Sequence, residues 1–499
     1  MDHLTLAAHD LALAFTPRHG IIPLYHQLCA ALRDAILTGR LRPGSRLPST
    51  RDVAARYRLS RGTVVLAFDQ MKAEGYLTGR TGSGTFVVET LPDALLDAGR
   101  SQRSAVATRH RVRRLSAFAN HARPFRGTVN ARGRAFRANQ PALDLFPTTL
   151  WAQVAGRRLR RSTTAMLRGC EPMGYPPLQR AVADYLGAAR GVVCSPEQVA
   201  IVSGAQEAID LATRLFVNQG DRVCMEDPGY PGASLAFAAA GADIVRVPLD
   251  AEGMKVPGAR AGDVRLAYVT PAHQFPVGTC MSVSRRLALL QWARSTGATI
   301  LEDDYDSEFR FSGAPVPALQ SLDRHGTVLF TSSFSKVLFP SLRAGVLVVP
   351  ADLIDRIAAI KSLTSHHAPL LDQAILCDFI TEGHFGRHIR RMRGVYAERQ
   401  TVLLNAVQDR LAEVLDISNV EAGLQTAAWF RRKIDGPAVV RAARRRDLDV
   451  LALSRFSSRP LRRDGLLLGF AAIDTSEIRR GVKELAVALA GVTRRGTRT

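Results

Sequence analysis

From about residue 139 onward the chain repeats one device, a short apolar run followed by a stretch with helical spacing. The runs are VAIV at 199–202, RVCME at 222–226, DIVRV at 243–247, LAYV at 266–269, ATILE at 298–302, TVLFT at 327–331 and GVLVV at 345–349. Strands that are apolar on both faces must be covered on both faces, and parallel strands need long crossovers that helices normally supply. The alternation therefore predicts an α/β domain over 139–499, with a mainly parallel sheet between layers of helices. In open sheets of this kind, ligand-binding groups collect beyond the carboxyl ends of the strands.

The first 89 residues follow different rules. In LYHQLCAALRDAILT, Leu24, Leu28, Ala31, Leu32, Ala35 and Ile36 recur at helical spacing and Gly39 follows as a stop. Pro43-Gly44 turns the chain, Ser49 is a natural N-cap, and a short helix is expected over about 50–57. Ser60 is the next cap; the helix after it buries Val64, Phe68 and Met71 along one face and stops at Gly75. Two short strands around the Gly-rich tip 79–84 complete a winged helix-turn-helix, expected to occupy 1–89. Such a module presents the start of its third helix to the major groove of double-stranded DNA. That assigns Ser60, Arg61 and Thr63 to base edges or phosphate, Arg51 to the backbone, and Arg80 with Gly82 and Gly84 to a wing that approaches a minor groove. A solvated surface Arg is the competing reading for each arginine taken singly.

Residues 90–138 lack sustained periodicity and are expected to form a basic linker, with a short helix near 105–119. The formal net charge of the 499 residues is +22, of which this linker holds +9 and residues 1–89 hold +4. Charge alone is weak evidence for an anionic partner, since all but six of the 67 basic residues are Arg. Its concentration in the first part of the chain is better evidence and predicts a steep salt dependence of DNA binding. Six cysteines stand singly, without metal-site spacing, so no metal site is expected. With no secretion-type start and no run of about 18 apolar residues, a cytoplasmic protein with no membrane partner is expected.

Three segments of the large domain carry chemistry. The strand VAIV passes through Ser203-Gly204 into a helix starting at Ala205, and free N–H groups at such a junction suit a phosphate; a glycine needed only for the turn is the alternative. ATILEDDYDSEF puts carboxylates at a strand end, where one of them can hold a protonated ring nitrogen. TSSFSKVLFPSLRAG sets Lys336 just past another strand end, with Ser333 and Ser335 before it and Arg343 after it. A lysine so placed has the chemistry for a Schiff base with an aldehyde cofactor, and together the three segments favour pyridoxal 5'-phosphate.

Residues 22–89, through PLYHQL, GRLRPGSRLPSTRDVAARYRLSRGTVVLAFDQMKAEGYL and GSGTFV, resemble the DNA-binding domain of the GntR family. The resemblance implies operator contacts by Arg51, Arg61, Thr63 and the wing glycines, with Val65 where some relatives carry an Arg. Residues 139–490 resemble fold-type I pyridoxal-phosphate enzymes of the aspartate aminotransferase kind. That resemblance implies a Schiff base at Lys336, Asp303 on the pyridine nitrogen and Tyr305 on the phenolic oxygen. It also implies a phosphate held by Gly204, Ala205, Gln206, Ser333 and Arg343, with Tyr230 over the ring. PAHQFPVG stands where aminotransferases usually carry Asn before P-T-G, and Tyr305 follows Asp303 by two residues rather than three. Both features are similar to the MocR/GabR subgroup, in which a GntR-type head is fused to an aminotransferase-like body. For the carboxylate of an amino-compound effector, the family position maps onto Arg455 or, as a second candidate, Arg459. The expectation is a homodimeric regulator that binds operator DNA and senses pyridoxal phosphate or an amino compound; a working aminotransferase with an accessory head is the alternative.

Overall fold

The computed structural model describes residues 13, 17, 22–80, 83–89, 114–124, 135–258, 261–311, 316–417 and 419–496. The chain divides into two compact units, 1–113 and 114–499.

In the first unit, helix α1 (Leu24–Leu37) buries Leu28, Cys29, Leu32, Ala35 and Ile36, the stripe that the spacing marks out. Helix α2 (Thr50–Tyr57) opens on a reciprocal cap. The Asp52 N–H donates to Ser49 Oγ at 3.3 Å and the Ser49 N–H donates to the Asp52 carboxylate at 3.2 Å, which satisfies two otherwise orphaned donors. Helix α3 (Arg61–Ala73) is capped by Ser60 and packs Val64, Ala67, Phe68 and Met71 against α1. Each large side chain buried here contributes about 1.5–3 kcal/mol. Strands β1 (Leu77–Arg80) and β2 (Gly84–Val87) pair antiparallel, Leu77 opposite Val87 and Arg80 opposite Gly84. Gly84 has φ +110, and a Cβ there would lie 2.9 Å from Arg46 Nε, so the wing closes only on a glycine.

The second unit is built on eight strands: β3 (Val199–Val202), β4 (Arg222–Asp227), β5 (Asp243–Asp250), β6 (Gly253–Met254), β7 (Val264–Val269), β8 (Thr299–Asp304), β9 (Val328–Ser333) and β10 (Gly345–Val348). Their order is β3-β10-β9-β8-β7-β4-β5-β6. From β9 through β8, β7 and β4 to β5 all pairing is parallel; β10 and β6 run against their neighbours. The two-residue alternation explains why the strands read as continuous apolar runs. Val223, Met225, Leu266, Tyr268 and Leu301 enter the core on one face, while Cys224, Ala267, Val269 and Ile300 enter the core on the other. Helix α4 (Ala205–Phe216) covers the first face and α5 (Val283–Thr296) the second.

A four-stranded antiparallel sheet was not expected from the apolar runs. It consists of Leu415–Ile417, Gln425–Phe430, Gly465–Gly469 and Leu451–Ala452, in that order. Its strands are two to six residues long and hold two β-branched residues, Ile417 and Thr426, so neither length nor β-branched content marks them. Of the helix expected near 105–119, the structure has Ala117–His121, and residues 105–113 lie outside the described residues. Among the described residues no helix is long and apolar enough to cross a membrane, and no group of His, Cys, Asp and Glu is arranged to hold a metal ion.

Candidate functional site

β3, β4, β7, β8 and β9 all end at the same edge of the large sheet, and the cavity there has a volume of about 850 Å³. It is lined by Gly204, Ala205, Gln206, Tyr230, Asp303, Tyr305, Ser333, Lys336, Arg343 and Arg455. Arg459 does not line it, so of the two arginines considered for an effector carboxylate only Arg455 reaches the cavity.

Strand β8 ends at Asp304, which aims Asp303 from the last pleat into the cavity floor. One carboxylate oxygen, Oδ2, accepts a 2.6 Å hydrogen bond from the Tyr268 hydroxyl; Oδ1 is buried without a hydrogen-bond partner. Burial pushes this carboxyl up to about 7, against the lowering pull of the Tyr268 bond. A carboxylate held this way suits a ring N–H⁺, which would supply the missing donor and the opposite charge. Lys336 sits in the short helix Phe334–Val337, immediately after β9, and its Nζ donates to the Asn139 carbonyl at 2.8 Å. Burial lowers the amine to about 8, although Asp306 and Asp303 pull it upward.

Across the cavity, Gly204 begins α4 with φ +120, a conformation that disfavours any side chain. A Cβ there would come within 3.8 Å of the Arg343 guanidinium, so the helix N-terminus and this cation face one small space. Arg343 itself holds φ +48, a left-handed backbone that only surrounding structure keeps in place. Ser333 caps the short lysine helix, and the buried Ser335 Oγ has no hydrogen-bond partner. Helix N–H groups, an arginine and hydroxyls around one point make an anion cradle.

Tyr230 forms the wall. Its ring meets Phe275 edge-on at 5.6 Å and lies near-parallel to Tyr268 at 6.4 Å. Gly232 permits this: a Cβ there would fall 2.4 Å from both the Tyr230 ring and Gln206 Oε1. The loop carrying Phe275 is tied down by Gln274, whose Nε2 donates to the Pro228 carbonyl at 2.9 Å and to the buried Glu226 carboxylate at 3.1 Å.

Several of these groups escape sequence reasoning. Tyr268 lies inside the apolar run LAYV and reads as core. Asn139 contributes a backbone carbonyl, which has no sequence signature. Gln425, whose Oε1 accepts the Asn139 N–H at 2.9 Å, comes from the unexpected second sheet. His273, Gln274 and Phe275 lay in a segment already singled out, PAHQFPVG.

In the head, Arg51 and Arg61 are exposed and neither makes an ion pair among the described residues. Ser60 Oγ is occupied as a cap, accepting the Thr63 N–H at 3.1 Å and lying 2.8 Å from Thr63 Oγ1. This fixes the helix start that carries Arg61. Gly84 stands at the wing, whereas Gly82 and the Arg80 side chain lie outside the described residues.

Two family models match the chain: bacterial regulatory proteins of the gntR family over 24–87, and aminotransferase class I and II over 136–443. The order of head and body is shared with a protein named probable rhizopine catabolism regulatory protein MocR, from Rhizobium meliloti. The two are 41% identical over 94% of this chain and 94% of the relative. The chain belongs to the MocR-type regulators. This MocR-type regulator is also 29% identical, over 96% of its length and 99% of the relative's, to a pyridoxine biosynthesis transcriptional regulator, PdxR, of Corynebacterium glutamicum. Its body superposes on LysN, the α-aminoadipate aminotransferase of Thermus thermophilus, with TM-score 0.68 and 28% identity, over 76% of this chain and 98% of that one. It is thus a MocR-family transcriptional regulator with a DNA-binding helix-turn-helix and an aminotransferase-like domain.

Proposed function

We propose that this regulator binds pyridoxal 5'-phosphate in the body cavity and uses it to sense an amino compound, and that occupancy of the cavity alters operator binding by the head. The observation that carries the reading is the set of groups gathered around one cavity: the amine of Lys336, the partnerless Oδ1 of Asp303, and the Gly204–Arg343 cradle. These residues fit that cofactor. Lys336 would hold its aldehyde, Asp303 its ring nitrogen and Tyr305 its phenolic oxygen. Ala205, Gln206, Ser333 and Arg343 would hold its phosphate, with Tyr230 over the ring. When bound, the cofactor supplies an electrophilic carbon that reacts reversibly with amines. Arg455, exposed at the cavity wall, is the group placed to take an effector carboxylate. The names of the relatives, one a pyridoxine biosynthesis regulator and another a catabolism regulator, support a small-molecule signal.

The mechanism is thermodynamic coupling. A ligand shifts a conformational equilibrium only by its differential affinity for the two states, so an amine that displaces Lys336 acts by favouring one form of the body. An operator with two half-sites needs two heads, so the regulator acts as a homodimer. The test is a visible titration of the purified protein with pyridoxal phosphate and then with candidate amines, followed by operator binding under the same conditions. The chromophore should vanish in Lys336→Ala, and operator affinity in that variant should no longer respond to amines. Wild-type protein that stays colourless at saturating cofactor would overturn the reading. A second reading, a working aminotransferase, is supported by 29% identity to a Thermus thermophilus 2-aminoadipate transaminase over 72% of this chain. Sustained turnover of an amino donor and a keto acceptor would establish it.

A further inference from the structure

Tyr305 is buried at the cavity wall, and its hydroxyl lies 3.1 Å from His273 Nδ1. The same nitrogen lies 2.9 and 3.1 Å from the two carboxylate oxygens of Asp306. We propose that His273 and Asp306 are positioning residues that turn the Tyr305 hydroxyl into an obligate donor toward the cavity, and so toward the phenolic oxygen of a bound cofactor. The inference deepens the cofactor reading above and rests on it.

A carboxylate offers only acceptors, so a ring nitrogen within hydrogen-bond reach of both its oxygens must carry the proton. The opposite tautomer would press a bare lone pair against two others in a buried site, where unpaired polar contacts are costly. A protonated Nδ1 has no lone pair left for Tyr305. The phenol oxygen can therefore only accept a share of that N–H, and its own proton is left to point elsewhere. With the imidazole acting as donor, the free direction for the O–H is the cavity that Tyr305 lines with Lys336 and Asp303.

The backbone is shaped around this pair. Gly423 has φ +100, and a Cβ on it would fall 2.3 Å from His273 Cε1 and 2.7 Å from Asp306 Oδ2. Gly278 has φ +87, and its Cβ would approach His273 Nε2 to 3.1 Å. The imidazole is therefore clamped from two sides, and its Nε2 is buried with no hydrogen-bond partner, as suits a bare lone pair better than an N–H. Phe275, two residues on, lines the cavity 6.1 Å from the Tyr305 ring and brings no donor. The phenol is the donor on that side. Burial first, then the charges of Asp306, Asp303 and Glu226, hold Tyr305 well above the usual tyrosine range, so it keeps the proton it donates.

The tautomer is read without cofactor by long-range proton–nitrogen correlation on the full chain labelled at histidine nitrogens, with His273 identified by its loss in His273→Gln. A proton on Nδ1 and none on Nε2 is expected; the reverse overturns the proposal. The consequence is read on cofactor-loaded protein as the pH midpoint of the Lys336-linked chromophore. Removing a donor from the phenolic oxygen should raise that midpoint by about one pH unit, a tenfold change and the size of one charge-assisted hydrogen bond. Asp306→Asn keeps the shape but can donate to Nδ1, which lets Tyr305 donate back to the ring; it should reproduce the rise seen in Tyr305→Phe. In the Tyr305→Phe background neither Asp306→Asn nor His273→Gln should move the midpoint further. An undiminished shift in that background, or no shift with Tyr305 present, overturns the proposal. Absence of any chromophore in the wild type instead brings down the cofactor reading, whatever the tautomer proves to be.

Discussion

Lys336 and Asp303 are both pushed toward their neutral forms by burial, with consequences of opposite kind. In the proposed capture of the cofactor the free amine is the nucleophile, and its fraction rises as pH increases through the lowered value of about 8. Cofactor capture by the unloaded protein should therefore accelerate between pH 6.5 and 8.5 and then level off, as followed by stopped-flow absorbance. An ordinary lysine, near 10.4, would keep accelerating. Burial raises the Asp303 carboxyl from its ordinary 3.8 to about 7. A carboxyl whose folded value is raised contributes stability that is fully present below its unfolded value and lost as pH rises through its folded one. Glu226 and Glu302, both raised to about 7 by burial, act in the same direction. Asp303→Asn should therefore raise the melting temperature of cofactor-free protein at pH 8 by a few degrees, at roughly 2–4 °C per kcal/mol. On the proposed cofactor reading the same change should loosen the cofactor by tenfold or more, since the group proposed to pair with the ring nitrogen loses its charge. A lower melting temperature at pH 8 would show that the buried charge is not a burden on the unloaded fold.

At the scale of elements, α3 depends on a cap that has a second use. Ser60 closes the first turn through the Thr63 N–H, and that turn presents Arg61. Ser60→Ala should cost the head about 1 kcal/mol, and Ser60→Gly only a few tenths. Amide hydrogen exchange in the first turn of α3 measures both. Arg61→Ala should weaken operator binding and, if the guanidinium sits on phosphate, lower the salt slope by about one. If it reads a base edge, the slope stays and preference at one base pair relaxes. Unchanged affinity and unchanged slope would remove Arg61 from the interface. Val65 and Leu66, exposed on the next turn, add apolar surface where a cation would have served phosphate.

For the molecule as a whole, head and body are separate compact units, and regulation requires that they share one equilibrium. Linkage makes the coupling reciprocal. If an amine changes operator affinity by some factor, saturating operator must change amine affinity by the same factor, measured by titrating the chromophore with and without DNA. A factor that appears on one side alone would mean that the amine acts somewhere other than on a shared conformational equilibrium.

Local chemistry was legible in the sequence. Ser49 and Ser60 as caps, the apolar stripe of α1, the seven strand runs, the glycine at 204 and the lysine at 336 each leave a signal within a few residues, because helix periodicity, capping and left-handed turns are short-range constraints. Pairings between distant segments left none. Tyr268 meets Asp303 across 35 residues, Lys336 meets the Asn139 carbonyl across 197, and the Asn139 N–H meets Gln425 across 286. Those contacts exist because β7 lies next to β8 in register and because a second sheet of short strands brings Gln425 to Asn139. Strand order and the reach of a backbone carbonyl are set by how the whole chain packs, and packing is a property that no local window of residues contains.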